Sequence, residues 1–179
     1  ISVEVMSLGL LTEKDMPILW DGKHLWECAE QLIDITQWTC DYLVIDFPPG
    51  SGLEVQSILK RGVDGAIIVT IPSHIASGDV ERTKEMLREY QIPIIGEIRN
   101  FAYLQCKCGR VHRIFHDDLD LGIPLVAEIP IRELNSSIIP DFDPVADRVL
   151  EHLEHPTILE PKKKRRLTKA FIKLFARFL

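Results

Sequence analysis

An α/β fold built on a doubly wound, mostly parallel sheet follows from three observations. Four short apolar runs, at residues 42–45, 66–70, 92–98 and 124–129, are rich in β-branched side chains. Each is bounded by turn residues, and helix-like segments lie between them. Strands covered on both faces lose the apolar-polar alternation of a half-exposed sheet, and strands alternating with helices assemble as βαβ units.

The first run, YLVI, ends at Asp46 and enters the loop DFPPGSGLE. Ser51 stands three residues before Glu54 there, a capping-box spacing that predicts a helix over 52–61. The second run, AIIVT, is followed by a helical pattern over 78–90. The third, IPIIGEI, and the fourth, PLVAEI, complete the sheet, and a last helix is expected over 143–153. Residues 1–155 thus form one domain, and residues 156–179 a linker and a tail.

The chain has 179 residues, 46% hydrophobic and 27% charged, enough for a single core and unlike a disordered or collagenous sequence. No window approaches the roughly 18 consecutive apolar residues that span a bilayer. The net charge of −6 conceals a division. Eight of the 21 basic residues and none of the 27 acidic ones lie in the last 19 positions, so the first 160 residues carry −14 and the tail +8. An acidic body excludes a nucleic-acid surface on the domain, because phosphate binding needs clustered Lys and Arg.

Four cysteines, Cys28, Cys40, Cys106 and Cys108, without a secretory signal point to a reducing compartment, and the cytoplasm is expected. Cys28 and Cys40 read as small core hydrophobes. Ligands of open α/β sheets bind at the carboxyl ends of the strands, which places Asp46, Pro48, Pro49 and Gly50 where a site would lie. On the residues alone, an ordinary strand-to-helix turn and a ligand loop are equally open readings.

The order of PILWDGKHLWECAEQLIDITQWTCDYLVIDFPPGSG, GAIIVTIPSHIA, IPIIGEIRNFAYLQCKCGRVHRIF and LGIPLVAEIPI resembles the Mrp-type iron-sulfur cluster carrier ATPases of the MinD/ParA class of P-loop NTPases. The likeness covers about Ser2 to Leu153 and links several motifs in order. It implies that DFPPG is switch II, with Asp46 behind the Mg²⁺ of bound ATP, Pro49 in the same loop, and Gly50 letting a backbone N–H reach the γ-phosphate. Phe47 takes the place of the family's threonine. It implies further that Asn100, in IRNFAY, reads the adenine edge with Pro130 near the same base. As a residue alone, Asn100 reads equally as a turn former.

The resemblance also implies that Cys106 and Cys108, before Gly109, each serve as one of two thiolates per subunit for a 4Fe-4S cluster bridging a homodimer, which passes it to iron-sulfur apo-proteins. The spacing here is C-x-C where the family has C-x-x-C. With His112 and His116 the same cysteines make C-x-C-x₃-H-x₃-H, so zinc is the alternative metal, ahead of which no metal at all also stands as a reading. Trp20, Asp21 and Gly22 align with a Trp-Arg-Gly stretch, with the charge reversed at Asp21. His24 and His74 are single histidines.

No G-x-x-x-x-G-K-S/T loop occurs in the sequence, and it opens on Ile1 within a strand-like run. The expectation is a domain lacking the N-terminal strand and phosphate loop, inactive in ATP hydrolysis by itself, with no catalytic residue to name. From Pro161 the tail gathers Leu167, Phe171, Leu174, Phe175 and Phe178 on one helical face and Lys169, Lys173 and Arg177 opposite. Such a basic amphipathic helix suits an anionic membrane surface, its own acidic body or a partner. It is similar in character to the membrane-targeting tail of MinD proteins, so peripheral membrane attachment and a MinD-like positioning ATPase form the alternative function. A remnant that only binds partners is a third.

Overall fold

A computed structural model describes residues 3–12, 22–72, 74–106, 108, 110–113, 120–131 and 142–155, with the backbone alone at 22, 25 and 74–77. In chain order the elements are a 3-10 turn at Leu8–Leu10, α1 at Gly22–Ile35, α2 at Leu53–Arg61, β1 at Ala66–Thr70, α3 at His74–Glu89, β2 at Ile94–Arg99, β3 at Leu104–Gln105, β4 at Val111–His112, β5 at Leu125–Glu128 and α4 at Asp143–Glu154. β1, β2 and β5 form a parallel sheet in that spatial order, and β3 and β4 form a separate antiparallel hairpin.

The sheet is covered on both faces, as its unbroken apolar runs require. Ala66 and Ile68 of β1 point to one face, where Val55, Ile58 and Leu59 of α2 and Val80, Met86 and Leu87 of α3 pack against them. Ile67 and Val69 point to the other, joining Ile95 and Ile98 of β2 and Val145 of α4. α3 and α4 are also tied in by polar contacts. Lys84 Nζ donates to the Leu121 carbonyl at 2.7 Å, and a ring nitrogen of the buried His152 meets the Asp64 carbonyl at 3.0 Å.

Two expected elements differ. Residues 42–45 are extended but belong to no strand. Leu43, Ile45 and Phe47 turn inward while Tyr42 and Val44 are 52% and 55% exposed, and no described backbone group pairs with this segment. A strand is defined by hydrogen bonds to a neighbour, and an apolar run cannot supply its own partner. The segment instead forms one wall of a cleft of about 1120 Å³, opposite residues 3–8. A hydrogen bond from the Thr39 hydroxyl to Glu4 links the two walls.

The second correction concerns the capping box. The N-cap of α2 is Gly52, with no side-chain cap, and Ser51 lies one residue outside it. Glu54 folds back over Gly52 into the space that a Cβ would fill there, and the Ser51 carbonyl accepts from Gln56 Nε2 at 2.8 Å. The helix nevertheless starts and ends close to expectation. α3 begins four residues earlier than the pattern over 78–90 predicts and ends one residue before it, and α4 extends one residue past the expected 143–153.

Missed entirely by the sequence reading is α1, although Trp26, Ala29, Leu32 and Ile33 recur at helical spacing. It packs on α2, where Arg61 makes a two-point contact with Asp34 at 2.5 and 2.8 Å. That hydrogen bond to Arg61 holds the Asp34 carboxyl below its ordinary pKa.

Within the sheet, Gly96 leaves no room for a side chain between β2 and β5. A methyl group there would overlap the Val126 side chain and lie 3.1 Å from the Pro124 carbonyl oxygen. Gly96→Ala is expected to destabilise the domain by about 2 kcal/mol through overpacking, measured as a lower denaturation midpoint with an unchanged slope. A midpoint equal to the parent's would show that the strands separate freely.

Candidate functional site at the carboxyl ends of the strands

The carboxyl ends of β1, β2 and β5 are Thr70, Arg99 and Glu128; Asn100 follows β2 and Pro130 follows β5, whereas Asp46, Pro49 and Gly50 follow the unpaired segment 42–45 and leave none of these strands. Asn100 N–H donates to the Thr70 carbonyl at 2.7 Å, which carries the parallel register one residue beyond the strand. The Asn100 Oδ1 accepts from Phe101 N–H at 3.0 Å, and Phe101 has φ 55°, in the left-handed region. Asn100 is therefore a turn former here, and its remaining amide donors and lone pair are what a ligand would meet.

Three backbone bonds stitch the loop after β2 to the loop after β5: Ile129 N–H to Arg99, Ala102 N–H to Ile129 and Ile131 N–H to Tyr103, at 2.8, 2.9 and 2.7 Å. They bring the buried Pro130 alongside the segment that holds Asn100.

Asp46, Pro49 and Gly50 lie together in the loop before α2, all three exposed. Gly50 has φ 98°, a conformation that costs a residue with a Cβ dearly, and no atom lies within 4 Å of where a Cβ would stand. The loop is anchored by Phe47, 5% exposed, which packs among the core residues of α2 and β1. The residue that replaces a threonine in the resembled family thus serves as a core anchor. An exposed carboxylate, an open glycine and a partly committed amide fit a Mg²⁺-nucleotide in chemistry, and the phosphate-cradling loop is absent from these 179 residues.

The cysteines belong to the hairpin. Leu104 pairs with His112 and Gln105 with Val111, and Cys106 N–H donates to the Arg110 carbonyl at 2.8 Å, so the chain reverses between 106 and 110. Cys106 and Cys108 are both exposed thiols, neither in a disulfide. Two soft, accessible donors at a turn fit a metal-sulfur cargo, and they are half of the four that such a cluster takes. Among the described residues no group of three or more His, Cys, Asp or Glu gathers as a metal set, and His116 lies outside them. Cys28 and Cys40 are half-buried and absent from the core clusters, with Cys40 on the wall of the cleft, which corrects their reading as core residues.

Sequence reading missed the line of charges that joins these parts. Thr70 Oγ1 donates to Glu97 Oε1 at 2.6 Å, and Arg99 Nε and Nη2 reach the same carboxylate at 3.2 and 3.3 Å. Arg99 Nη1 lies 4.0 Å from Glu128, which takes a two-point contact from Arg113 Nη1 and Nη2, each at 2.8 Å. Residues 97 and 99 lie two apart on β2, and Thr70 and Glu128 are the register partners of Arg99, so strand pairing alone puts all four on one face. The signal was present as Glu-x-Arg in a run otherwise apolar.

The Arg113 hydrogen bonds hold the Glu128 carboxyl below its ordinary pKa, against the opposing effect of its partial burial. A depressed folded-state pKa stabilises the fold above the unfolded-state value, and that stabilisation is lost as pH falls through the folded-state value. The stability difference between the parent and Glu128→Gln is therefore expected to be constant near neutral pH and to fade as pH drops from the ordinary glutamate range through the depressed folded-state value. Thermal melts of both proteins across that range test it, and a difference that persists in acid would show that the contact is not ionic.

The 24 residues from 156 to the end, which include the basic amphipathic tail, lie outside the described residues. No described helix is long and apolar enough to cross a membrane.

Comparison with known proteins identifies the family. The family model ParA, described as NUBPL iron-transfer P-loop NTPase, matches residues 1–159. An iron-sulfur cluster carrier protein of Pyrococcus abyssi is 35% identical over 138 residues, which cover 72% of this chain and 47% of the relative. An iron-sulfur cluster transfer protein NUBPL of Dictyostelium discoideum is 33% identical over 138 residues, 72% of this chain and 43% of that protein. An iron-sulfur cluster carrier protein of Aquifex aeolicus is 39% identical over 108 residues, 58% and 29% of the two chains. The chain spans about half the length, or less, of these relatives. The match over residues 1–159 and the identity at this coverage place the chain in the ParA/NUBPL family of iron-transfer P-loop NTPases, to which it belongs.

Proposed function

We propose that this chain acts in ATP-dependent carriage of iron-sulfur clusters, holding a 4Fe-4S cargo on Cys106 and Cys108 between two copies and delivering it to apo-proteins. The observation that carries the reading is the pair of exposed thiols held at the turn of a hairpin stitched to the same strand ends as Asn100 and Pro130. Relatives named for cluster carriage and transfer support it. In one chain the thiols are two of the four that a cubane cluster takes, which is why a homodimer is part of the proposal.

In this reading ATP binds at the strand ends, with Asp46 holding a water on Mg²⁺, the Gly50 N–H facing the γ-phosphate, and the amide of Asn100 and the ring of Pro130 at the base. Nucleotide occupancy then sets when cluster is taken up or given away. Hydrolysis belongs to a phosphate loop that these residues do not supply. The protein works in the cytoplasm, and its basic tail, residues 161–179, attaches it peripherally to anionic membrane. That tail is also what favours the second reading, a membrane-bound positioning ATPase of MinD type with cysteines that hold nothing.

The deciding experiment measures iron, zinc and acid-labile sulfide in anaerobically purified protein carrying the N-terminus its gene encodes, together with the 400 nm absorbance. Iron and sulfide at about four each per dimer are expected. Zinc alone would move the assignment to a Cys/His site, and no metal would leave the positioning ATPase.

A further inference from the structure

The hairpin that carries the thiols contains only two paired residues on each strand, and its strands are exposed. Two-stranded ribbons of this size do not hold their shape unaided in water. One side is secured through the backbone, by Ile131 N–H to the Tyr103 carbonyl and the bridge between Leu104 and Ile131. That is the side on which the chain enters. On the side where it leaves, Arg113 follows β4 directly and reaches across to Glu128 at the end of β5 with both Nη atoms.

Glu128 is itself a fixed point. Its carboxylate is 22% exposed and sits beside Arg99, which is 15% exposed and held by Glu97, a side chain only 2% exposed that also accepts from Thr70. Arg113 is 57% exposed, so the clasp joins a solvent-facing hairpin to a half-buried carboxylate backed by the Arg99–Glu97 pair. A guanidinium that meets a carboxylate at two points fixes orientation as well as distance.

We infer that the Arg113–Glu128 contact is the clasp that positions the cysteine hairpin, so that both thiols present to one metal-sulfur cargo. Arg113 and Glu128 are positioning residues, acting through the hairpin and touching no cargo. The inference deepens the cluster-carrier reading and rests on it for the nature of the cargo. The clasp itself does not depend on that reading, since it concerns the shape of the hairpin in the metal-free protein.

The test is a double-mutant cycle in the full-length protein with Arg113→Gln, Glu128→Gln and both together. Glu128→Gln leaves the Glu97–Arg99 pair in place, and Arg113→Lys retains the charge while losing the two-point contact. In metal-free protein, amide hydrogen exchange at Cys106, whose N–H is held by the Arg110 carbonyl, is expected to rise about threefold to fivefold in each single variant. The double variant is expected to match either single one, because the contact is lost once. Arg113→Lys should lie between the parent and Arg113→Gln.

A control variant, Arg88→Gln, breaks a surface pair with Glu85 on α3 and should leave the hairpin unchanged. Multiplying effects in the double variant, an unchanged hairpin in all three, or acceleration equal to that of the core amides would overturn the clasp. With cargo loaded, iron loss to a chelator should quicken by a similar factor in the same variants. If even the parent retains no iron, the carrier reading fails, while the exchange data on metal-free protein still decide the clasp.

Discussion

Replacing either Cys106 or Cys108 by serine is expected to bring iron and acid-labile sulfide from about four each per dimer to near zero, with the fold intact. A hydroxyl is a poor ligand for iron in a sulfide cluster, where the thiolate supplies the soft donor that the metal prefers. In the proposed dimer the two copies contribute equally, so one substitution removes two of four ligands. The loss should therefore be nearly as complete for a single variant as for the double one. Both side chains are exposed and make no contribution to the buried clusters, so thermal stability of the metal-free protein should change by less than about 0.5 kcal/mol. Cys28→Ser and Cys40→Ser serve as comparison, and retention of iron in them is expected. Undiminished iron in Cys106→Ser and Cys108→Ser would remove the cargo from the hairpin.

The second large effect is expected at Glu97. It is 1% exposed, on the middle strand of the parallel sheet, with Thr70 and Arg99 on its carboxylate. Glu97→Ala leaves a buried hydroxyl without its acceptor and a largely buried guanidinium facing Glu128 at 4.0 Å. Removing one member of a buried ion pair costs about 3 to 5 kcal/mol, mostly through the partner left behind. For a domain of this size that corresponds to a fall of roughly 10 °C in melting temperature. Glu97→Gln keeps an acceptor for Thr70 and should cost less than half as much, which separates loss of charge from loss of the whole group. A melting temperature within about 2 °C of the parent for Glu97→Ala would show that the charge line carries no stability. Since Arg99 also borders Glu128, the same variant is expected to loosen the Arg113 clasp, visible as faster exchange at Cys106.

How far the sequence could be read differs between these two places. The cysteines were legible because a metal donor announces itself by residue type, and C-x-C before Gly109 needs no fold to be noticed. Asp46 and Gly50 were legible for a similar reason, as a local loop whose conformation is set by its own residues. Glu97 and Arg99 were not. Their meaning depends on strand register, which brings Thr70 and Glu128 beside Arg99 from 29 residues away on either side. Arg113 was passed over because a surface arginine in a basic run carries no sign of its partner.

The elements divide in the same way. The run at 66–70 became β1 with its bounds unchanged, and those at 92–98 and 124–129 became β2 and β5 with their ends shifted by a residue or two, since unbroken β-branched sequence is a strong local signal. The run at 42–45 has the same composition and forms no strand among the described residues, because strand formation requires a neighbour's backbone and none meets it. Helix α2 began where expected although its cap differed, with Gly52 and the folded-back Glu54 in place of Ser51.

By itself, then, the amino-acid sequence determined what is local: residue chemistry at the two thiols and at Asp46, the helical and strand periods, the acidic body and basic tail, and the likeness that the family match bore out. The tertiary structure alone decided what is pairwise. It left residues 42–45 without a described partner, set Asn100 beside Pro130 through three backbone bonds, and joined Thr70, Glu97, Arg99, Glu128 and Arg113 into one line of charge. The reason is physical: periodicity and donor type are properties of a segment, whereas hydrogen-bond pairing and charge compensation are properties of two segments, fixed only when the sheet forms.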